Sequence, residues 1–410
     1  MTTLSVVIPC YNCESTLEAA VSSVLQQAPI FPFDLTLIDD GSTDSTYQVI
    51  RRLARRDVRI KVLQHEANRG GGAARNTAIL NTTGELVFCL DSDDMLGAGF
   101  LESMTRFWSQ KRCDAVAMST SIKFRGMDTK NVAYVSEYET GGRPVRFESF
   151  LDGSPCPLHV VFMMTRAAFS RVGGYPTEHG FDTQGMGFRF LCHGLSAYAC
   201  PDTLYYHRVG LTKSYYKREQ QAGRLNWNWL NILDEFLYLF KDSIQDQLLR
   251  HDIFDVPGRP APNDMLKAVA GRRDIYASDY RSLLRKGPQA VARESTRARN
   301  RYRQYWLGNF HRLQGRHATA LRYYARALAL GFRYRMIYYR MLQAELGLAG
   351  GGKLPVGVLE ELLLYSRPFP VSRRPLDQRL FHRLMANERL RQPALFVKNL
   401  RDRLRRRKFA

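Results

Sequence analysis

The chain has 410 residues, of which 45% are hydrophobic and 24% charged, and its formal net charge is +21. That length fits two domains of about 100–200 residues, and the composition is that of a globular chain and not a disordered one. No run of ~18 uncharged apolar residues occurs, so no membrane-spanning helix is expected, and the opening MTTLSVVIPC lacks the basic start and apolar stretch of a signal peptide.

Charge divides the chain in two. Residues 1–210 hold 20 Lys and Arg against 22 Asp and Glu, whereas residues 211–410 hold 40 against 17. The second half should be drawn to anionic surfaces, less so as salt rises. Seven cysteines are scattered. Cys10 and Cys13 form a C-x-x-C with no second pair beside it to complete a zinc site. The spacing fits a redox pair; the odd number and the apolar surroundings fit buried, reduced thiols in a cytosolic protein.

Leu4–Pro9 is a β-branched apolar run breaking at Pro-Cys-Tyr-Asn, which predicts a buried strand ending in a loop. Ser15 with Glu18 three residues later reads as a capping box before the helical spacing of Leu17, Ala20, Val21, Val24 and Leu25. Leu35–Ile38 predicts a strand ending in Asp39-Asp40-Gly41-Ser42, Thr46–Arg56 a helix, and Ile60–Leu63 a strand. After Gly70–Gly72, Ala73–Asn81 predicts a helix, and Leu86–Leu90 a strand running into Asp91-Ser92-Asp93-Asp94. Further strands are expected at Asp114–Ser119 and Val160–Met164, a turn at Gly173–Pro176, and a helix carrying Phe188–Cys192. Such alternation implies an α/β domain with a mostly parallel sheet, in which ligands bind beyond the carboxyl ends of the strands. Tyr11-Asn12, Asp39-Asp40 and Asp91–Asp94 should therefore meet in one crevice.

From about residue 215 the pattern becomes helical, giving expected domains at 1–215 and 216–410. Trp227–Phe240 has helical spacing, with core packing and sugar stacking both open to Trp227 and Trp229, and Gly258–Pro262 is a break. Leu307-Gly308, Phe310, Gly315, Ala320-Leu321, Tyr324 and Ala327-Leu328 have the small/large spacing of a tetratricopeptide helix pair near 302–330, with Tyr338–Leu346 able to begin a neighbour.

Three carboxylates within four residues, Asp91, Asp93 and Asp94, repel one another unless a cation balances them. A divalent ion held there could also hold a diphosphate, although acidic turns also occur on solvated surfaces. Asp39 and Asp40 could accept hydrogen bonds from a base or a ribose, or could form an Asx turn. Arg69–Asn76 is a glycine loop entering a helix; its glycines permit close backbone approach and Arg75 can pair with phosphate.

In combination these stretches resemble the family 2 glycosyltransferases. The segments SVVIPCYNCESTLEAAVSSVLQQ, LTLIDDGSTDST, NRGGGAARNTAI and GELVFCLDSDDML stand in the family's order and spacing, closely over residues 4 to about 96 and loosely to about 210. The resemblance implies a GT-A fold and an inverting transfer from a nucleotide-sugar, in particular a UDP-sugar, with Mn²⁺ or Mg²⁺. It assigns Pro9 and Tyr11 to the nucleobase, Asp39 and Asp40 to uracil, Arg75 to the diphosphate, Asp91 to ribose or metal, and Asp93 to the metal. The family's general base stands in a Glu-Asp pair; here Asp182 keeps the Asp position while Phe181 replaces the Glu, and Glu178 is a second candidate. An Asp that only caps the following helix is the plainer alternative. His207 falls where some GT-A enzymes make a further metal or phosphate contact, although a lone His is more often structural.

The basic half carries arginine clusters at 272–273, 297–303, 373–374 and 401–408. They would suit the anionic inner face of the plasma membrane, where lipid-linked acceptors would be found, an acidic polysaccharide, or simply a solvated helical surface. Nothing in the first domain calls for nucleic acid, and the helix pair could dock a protein partner. The expected chain is thus a cytoplasmic or peripheral enzyme acting on a glycan, lipid-linked sugar or polysaccharide hydroxyl. A nucleotidyltransferase would need a G-x-G-T-R signature that IPCYNCEST lacks, and a catalytically inactive, partner-binding scaffold is the other reading.

Overall fold

Apolar, β-branched runs alternate with amphipathic ones along the first 125 residues, and they fold as alternating strands and helices. The computed structural model describes residues 2–138, 142–145, 158, 160–177, 180–210, 301–312, 315–332, 337, 340–341 and 343–344. In chain order the elements are β1 (Leu4–Cys10), α1 (Leu17–Leu25), β2 (Phe33–Asp40), α2 (Thr46–Arg56), β3 (Ile60–His65), α3 (Gly71–Leu80), β4 (Leu86–Cys89), β5 (Met95–Leu96) and α4 (Phe100–Lys111). Then follow β6 (Ala115–Arg125), β7 (Val132–Glu137), β8 (Phe162–Thr165), α5 (Arg166–Val172), α6 (Asp182–Cys192) and β9 (Ala197–Val209).

The strands form one sheet in the order β3-β2-β1-β4-β8-β6-β9-β5, with β7 added to β6. β3, β2, β1 and β4 run parallel, as do β6 and β9, while β8 is antiparallel to both β4 and β6. This is the mostly parallel α/β sheet that the sequence implies. Register brings the strand ends level: Cys10 lies beside Asp39, and Asp40 beside His65. Leu90 N donates to Val7 O at 2.9 Å, so the acidic turn leaves β4 at the same edge. The polar ends of four strands are thereby gathered by backbone pairing alone.

The core beneath that edge joins Leu4, Val6 and Ile8 of β1 to Leu17, Ala20, Val21 and Val24 of α1 and to Phe100, Met104 and Trp108 of α4. Each large side chain so buried stabilises the fold by roughly 1.5–3 kcal/mol. Phe100 also packs on Phe88 and on Tyr205, at ring-centroid distances of 5.6 and 6.3 Å, tying β4 to β9.

Two local expectations need correction. α1 starts after Thr16, whose side chain makes no capping bond. Glu18 does not close a capping box; it pairs with Arg52 and Arg56 of α2 at 2.8 and 3.2 Å. α3 starts at Gly71, two residues before the expected Ala73. Gly70 turns with φ +89°, and Ala74 N donates to Gly70 O at 3.0 Å to close the first helical turn through the glycines.

By its contacts the chain forms two compact units, Met1–Asn228 and Trp229–Ala410; the expected boundary at 215/216 lies outside the described residues. In the second unit residues 301–312 are helical, and α7 (His317–Ala329) follows a turn at Gly315. A Cβ on Gly308 would lie 2.3 Å from the Tyr324 ring, and Tyr324 Oη donates to Asn309 Oδ1 at 2.7 Å, so these two helices touch closely. Tyr305 stacks on Phe332, with centroids 4.6 Å apart. Trp227–Phe240 and Gly258–Pro262 lie outside the described residues, as do five of the nine residues of Tyr338–Leu346. No described helix is long and apolar enough to cross a membrane. Cys10, Cys13, Cys89, Cys113, Cys192 and Cys200 are buried and form no disulfide.

The tightest approach near the strand ends is at Gly72, where an added Cβ would stand 1.9 Å from Pro176 O. Gly72→Ala is expected to lower the unfolding free energy of the first unit by about 1–3 kcal/mol, read from its urea midpoint; an unshifted midpoint would show that this contact yields freely.

Candidate active site

The loops beyond β1 and β2 are laced together. Asn12, in the left-handed region with φ +49°, donates from its backbone N to Ser42 Oγ at 3.1 Å and accepts from Thr43 N at 2.8 Å. Cys13 N donates to Thr46 Oγ1 at 2.8 Å. Pro9, near the end of β1 and paired with Ile38, and the exposed Tyr11 just past it thus lead into a loop fixed to the Asp39–Ser42 turn. Asp39 is buried and accepts from Ser42 N and Gln64 Nε2 at 3.3 and 3.2 Å. Asp40 is also buried, with three partners: His65 Nδ1 at 2.7 Å, Arg69 N at 3.0 Å and Gly70 N at 2.9 Å. Its carboxylate ties β2 to the glycine loop that starts α3.

That loop delivers Arg75. The guanidinium is buried, and its two terminal nitrogens donate to different carboxylates: Nη1 to Asp182 Oδ2 and Nη2 to Asp91 Oδ1. One cation therefore joins the first turn of α6 to Asp91, the first residue of the acidic turn after β4. The Tyr175 ring supports the guanidinium at 5.6 Å, and Asn76 holds the Tyr175 backbone through both N–H and C=O, at 2.8 and 2.9 Å. Burial pushes the Asp182 carboxyl above the usual range while Arg75 opposes the rise. Phe181, standing where a Glu was expected, is buried.

The acidic turn is anchored on its other side by β9. Asp94 accepts from Tyr205 Oη at 2.5 Å and from Arg208 N at 2.7 Å. Arg208 Nε donates to Asp93 O at 2.8 Å. His207 Nδ1 lies 3.4 Å from Asp94 Oδ2 without a hydrogen bond. Lys123 of β6 pairs in register with His207 and is buried beside the acids. Burial, reinforced by Asp94 and Asp91, pushes the Asp93 carboxyl up to about 7. Burial lowers the Lys123 amine to about 8 and the His207 ring to about 4.

These values describe a turn with more buried negative charge than its neighbours balance, and a divalent cation would relieve it. No three His, Cys, Asp or Glu side chains among the described residues are grouped to hold a metal unaided. The donor set fits an oxygen-seeking ion that takes one or two carboxylates from the protein and its remaining ligands from water or a phosphate.

Of the residues singled out in the sequence, Arg75, Asp91 and Asp182 are in direct contact. Asp93 and His207 flank Asp94 beside them, while Asp39 and Asp40 hold the neighbouring loops. Glu178 lies outside the described residues. Sequence reading missed Lys123, Tyr205 and Arg208. Lys123 could have been noticed as a charge flanked by the apolar Ile122 and Phe124; Tyr205 and Arg208 carry no such signal, because a partner so distant in sequence gives them their role.

Residues 5–173 match the profile described as Glycosyl transferase family 2. An uncharacterized glycosyltransferase of Haemophilus influenzae is 36% identical over 110 residues, which are 27% of this chain and 44% of that protein. The Escherichia coli UDP-Glc:alpha-D-GlcNAc-diphosphoundecaprenol beta-1,3-glucosyltransferase WfgD is 40% identical over 99 residues, 24% of this chain and 38% of that protein. The matched stretch thus spans less than half the length of either relative. A crystal structure of S. aureus TarS 1-349 in complex with UDP-GlcNAc is 18% identical with a TM-score of 0.48, covering 86% of this chain and 93% of that one.

Tyr205→Phe removes one donor from the buried Asp94 carboxylate. The substitution should cost about 1–3 kcal/mol of stability, seen as a lower midpoint in thermal unfolding; an unchanged midpoint would mean that Arg208 N alone satisfies Asp94.

Proposed function

We propose that this chain is an inverting glycosyltransferase moving a sugar from a UDP-sugar to a hydroxyl of a glycan, lipid-linked sugar or polysaccharide. The observation that carries the proposal is the Arg75 bridge: the first residue of the acidic turn and a buried carboxylate at the start of α6 meet on one cation, at the mouth of a glycine loop. Support also comes from the family profile over residues 5–173 and from relatives that are themselves named glycosyltransferases.

Pro9 and Tyr11 flank the nucleobase. Asp39 and Asp40 meet uracil while fixing the loops around it, since among the described residues Asp40 Oδ2 accepts from Gly70 N alone and keeps a lone pair for the base. Arg75 meets the diphosphate, for which its planar fork is suited. Asp182 takes the proton of the acceptor hydroxyl as that oxygen attacks the anomeric carbon from the face opposite the departing UDP, which inverts the centre. Glu178 is the reserve base. Mn²⁺ or Mg²⁺, held by Asp93 with Asp91 or His207, supplies charge neutralisation to the leaving diphosphate. Phe181 removes a negative charge from beside Asp182, so the base works with fewer acidic neighbours than a Glu-Asp pair gives.

The basic second half is proposed to hold the enzyme at an anionic membrane surface, where a lipid-linked acceptor lies, with the helix pair around Gly308 and Tyr324 packed in the tetratricopeptide manner and open to a protein partner. On this reading the chain works in the cytoplasm, peripherally at the inner face of the membrane.

Asp182→Asn should lower turnover by about 10²–10⁴ while UDP still binds; wild-type turnover in that variant removes Asp182 as the base. Asp93→Ala should abolish the difference in UDP affinity measured by calorimetry with and without Mn²⁺. Deleting residues 297–410 should reduce co-sedimentation with anionic vesicles, and equal sedimentation would exclude that segment from membrane attachment.

A further inference from the structure

The base and the diphosphate-binding arginine are not independent groups. Arg75 is almost fully enclosed, with a side-chain exposure of 8%, and both of its terminal nitrogens are engaged. Its two partners differ in access: the Asp182 side chain is 12% exposed and that of Asp91 is 36% exposed. The loop backbone lies against the same ion pair, since a Cβ on Gly71 would fall 2.8 Å from Arg75 Nη1 and 2.9 Å from Asp182 Oδ2. A diphosphate reaching this guanidinium meets a cation already outnumbered by two carboxylates.

We infer that the donor diphosphate and the Asp182 carboxylate compete for Arg75, so that the base is released from its ion pair only when nucleotide is bound. The inference rests on the UDP-sugar reading above and goes beyond it, because it makes base activation conditional on the donor. Asp182, not Asp91, is the partner whose release matters. Asp91 has solvent and the other polar groups of the acidic turn to turn to. Among the described residues, Asp182 has besides Arg75 no second cation, only backbone N–H groups: that of Thr183, which donates to Oδ1 at 3.0 Å, and its own. Once Arg75 faces phosphate, the Asp182 carboxylate is buried without a cation, and burial then favours its taking a proton. Tyr175 and Asn76 keep the guanidinium in place during the exchange, so a small change of partner suffices and no large movement is needed. Without nucleotide the base is occupied, so an acceptor hydroxyl that arrives before the donor has no free base to meet.

The test is UDP affinity, measured by calorimetry on the full chain for wild type, Asp182→Asn, Arg75→Met and the double variant. Asp182→Asn removes the competitor and should tighten UDP binding about fivefold or more, the scale of an ordinary coupling between linked sites. In the Arg75→Met background the same substitution should change nothing. Unchanged or weaker UDP binding in Asp182→Asn, with the wild type binding UDP, overturns the competition and leaves the donor reading intact. Failure of the wild type to bind UDP overturns both. A second measurement needs no variant: carbodiimide labelling of the wild-type carboxylates, mapped by mass spectrometry, should modify Asp182 faster with UDP than without it. Equal or slower labelling of Asp182 with UDP also overturns the competition.

Discussion

A single buried guanidinium holds together the sheet edge of this protein where the strand ends meet. Arg75 reaches from the first turns of α3 to Asp91, just past β4, and to Asp182, at the start of α6, two positions 91 residues apart in the chain. Leaving one member of such a buried cluster unpaired costs about 3–5 kcal/mol, so the three groups constrain one another strongly. The same charge fits the diphosphate of the proposed donor. The contact that shapes this edge is thus also one that the proposed donor would have to rearrange.

Around that bridge the sheet does the positioning. Parallel pairing brings the ends of β1 to β4 level, and side chains then lock the loops beyond them: Asp40 onto the glycine loop, Asn12 onto the turn after β2, and Asp94 onto β9. Asp94 illustrates how adjacent acids take different work. It is enclosed by Tyr205 and the Arg208 backbone, which makes it an anchor. Asp93 and Asp91 remain the acids available to a cation, and burial makes Asp93 the one whose charge is hardest to sustain without such a cation.

Much of this edge was legible in the sequence because its signals are local. The strand ending at Pro9, the helix Thr46–Arg56 and the acidic run after β4 each announce themselves within a few residues. Asp182 could be placed only through the family resemblance, since an Asp at a helix start is ordinary. What stayed hidden depends on distant partners. The capping box at Ser15 and Glu18 has the right local spacing, yet the two arginines of α2 draw Glu18 away. The close approach of Pro176 O to Gly72 within the early first turn of α3 is likewise a contact that no pattern within the loop reveals. Lys123 and Tyr205 join the site because β6 and β9 pair in parallel across a long connection.

The central claim is that acids remote in sequence share one cleft with Arg75 and that this cleft receives a nucleotide diphosphate with its cation. Anomalous diffraction from crystals of the protein grown with UDP and Mn²⁺ tests it most directly. The account predicts one Mn²⁺ peak against an Asp93 carboxylate oxygen, with the diphosphate bridging from that ion to Arg75. A nucleotide bound elsewhere on the chain, or Mn²⁺ at a position away from Asp91 and Asp93, would contradict it.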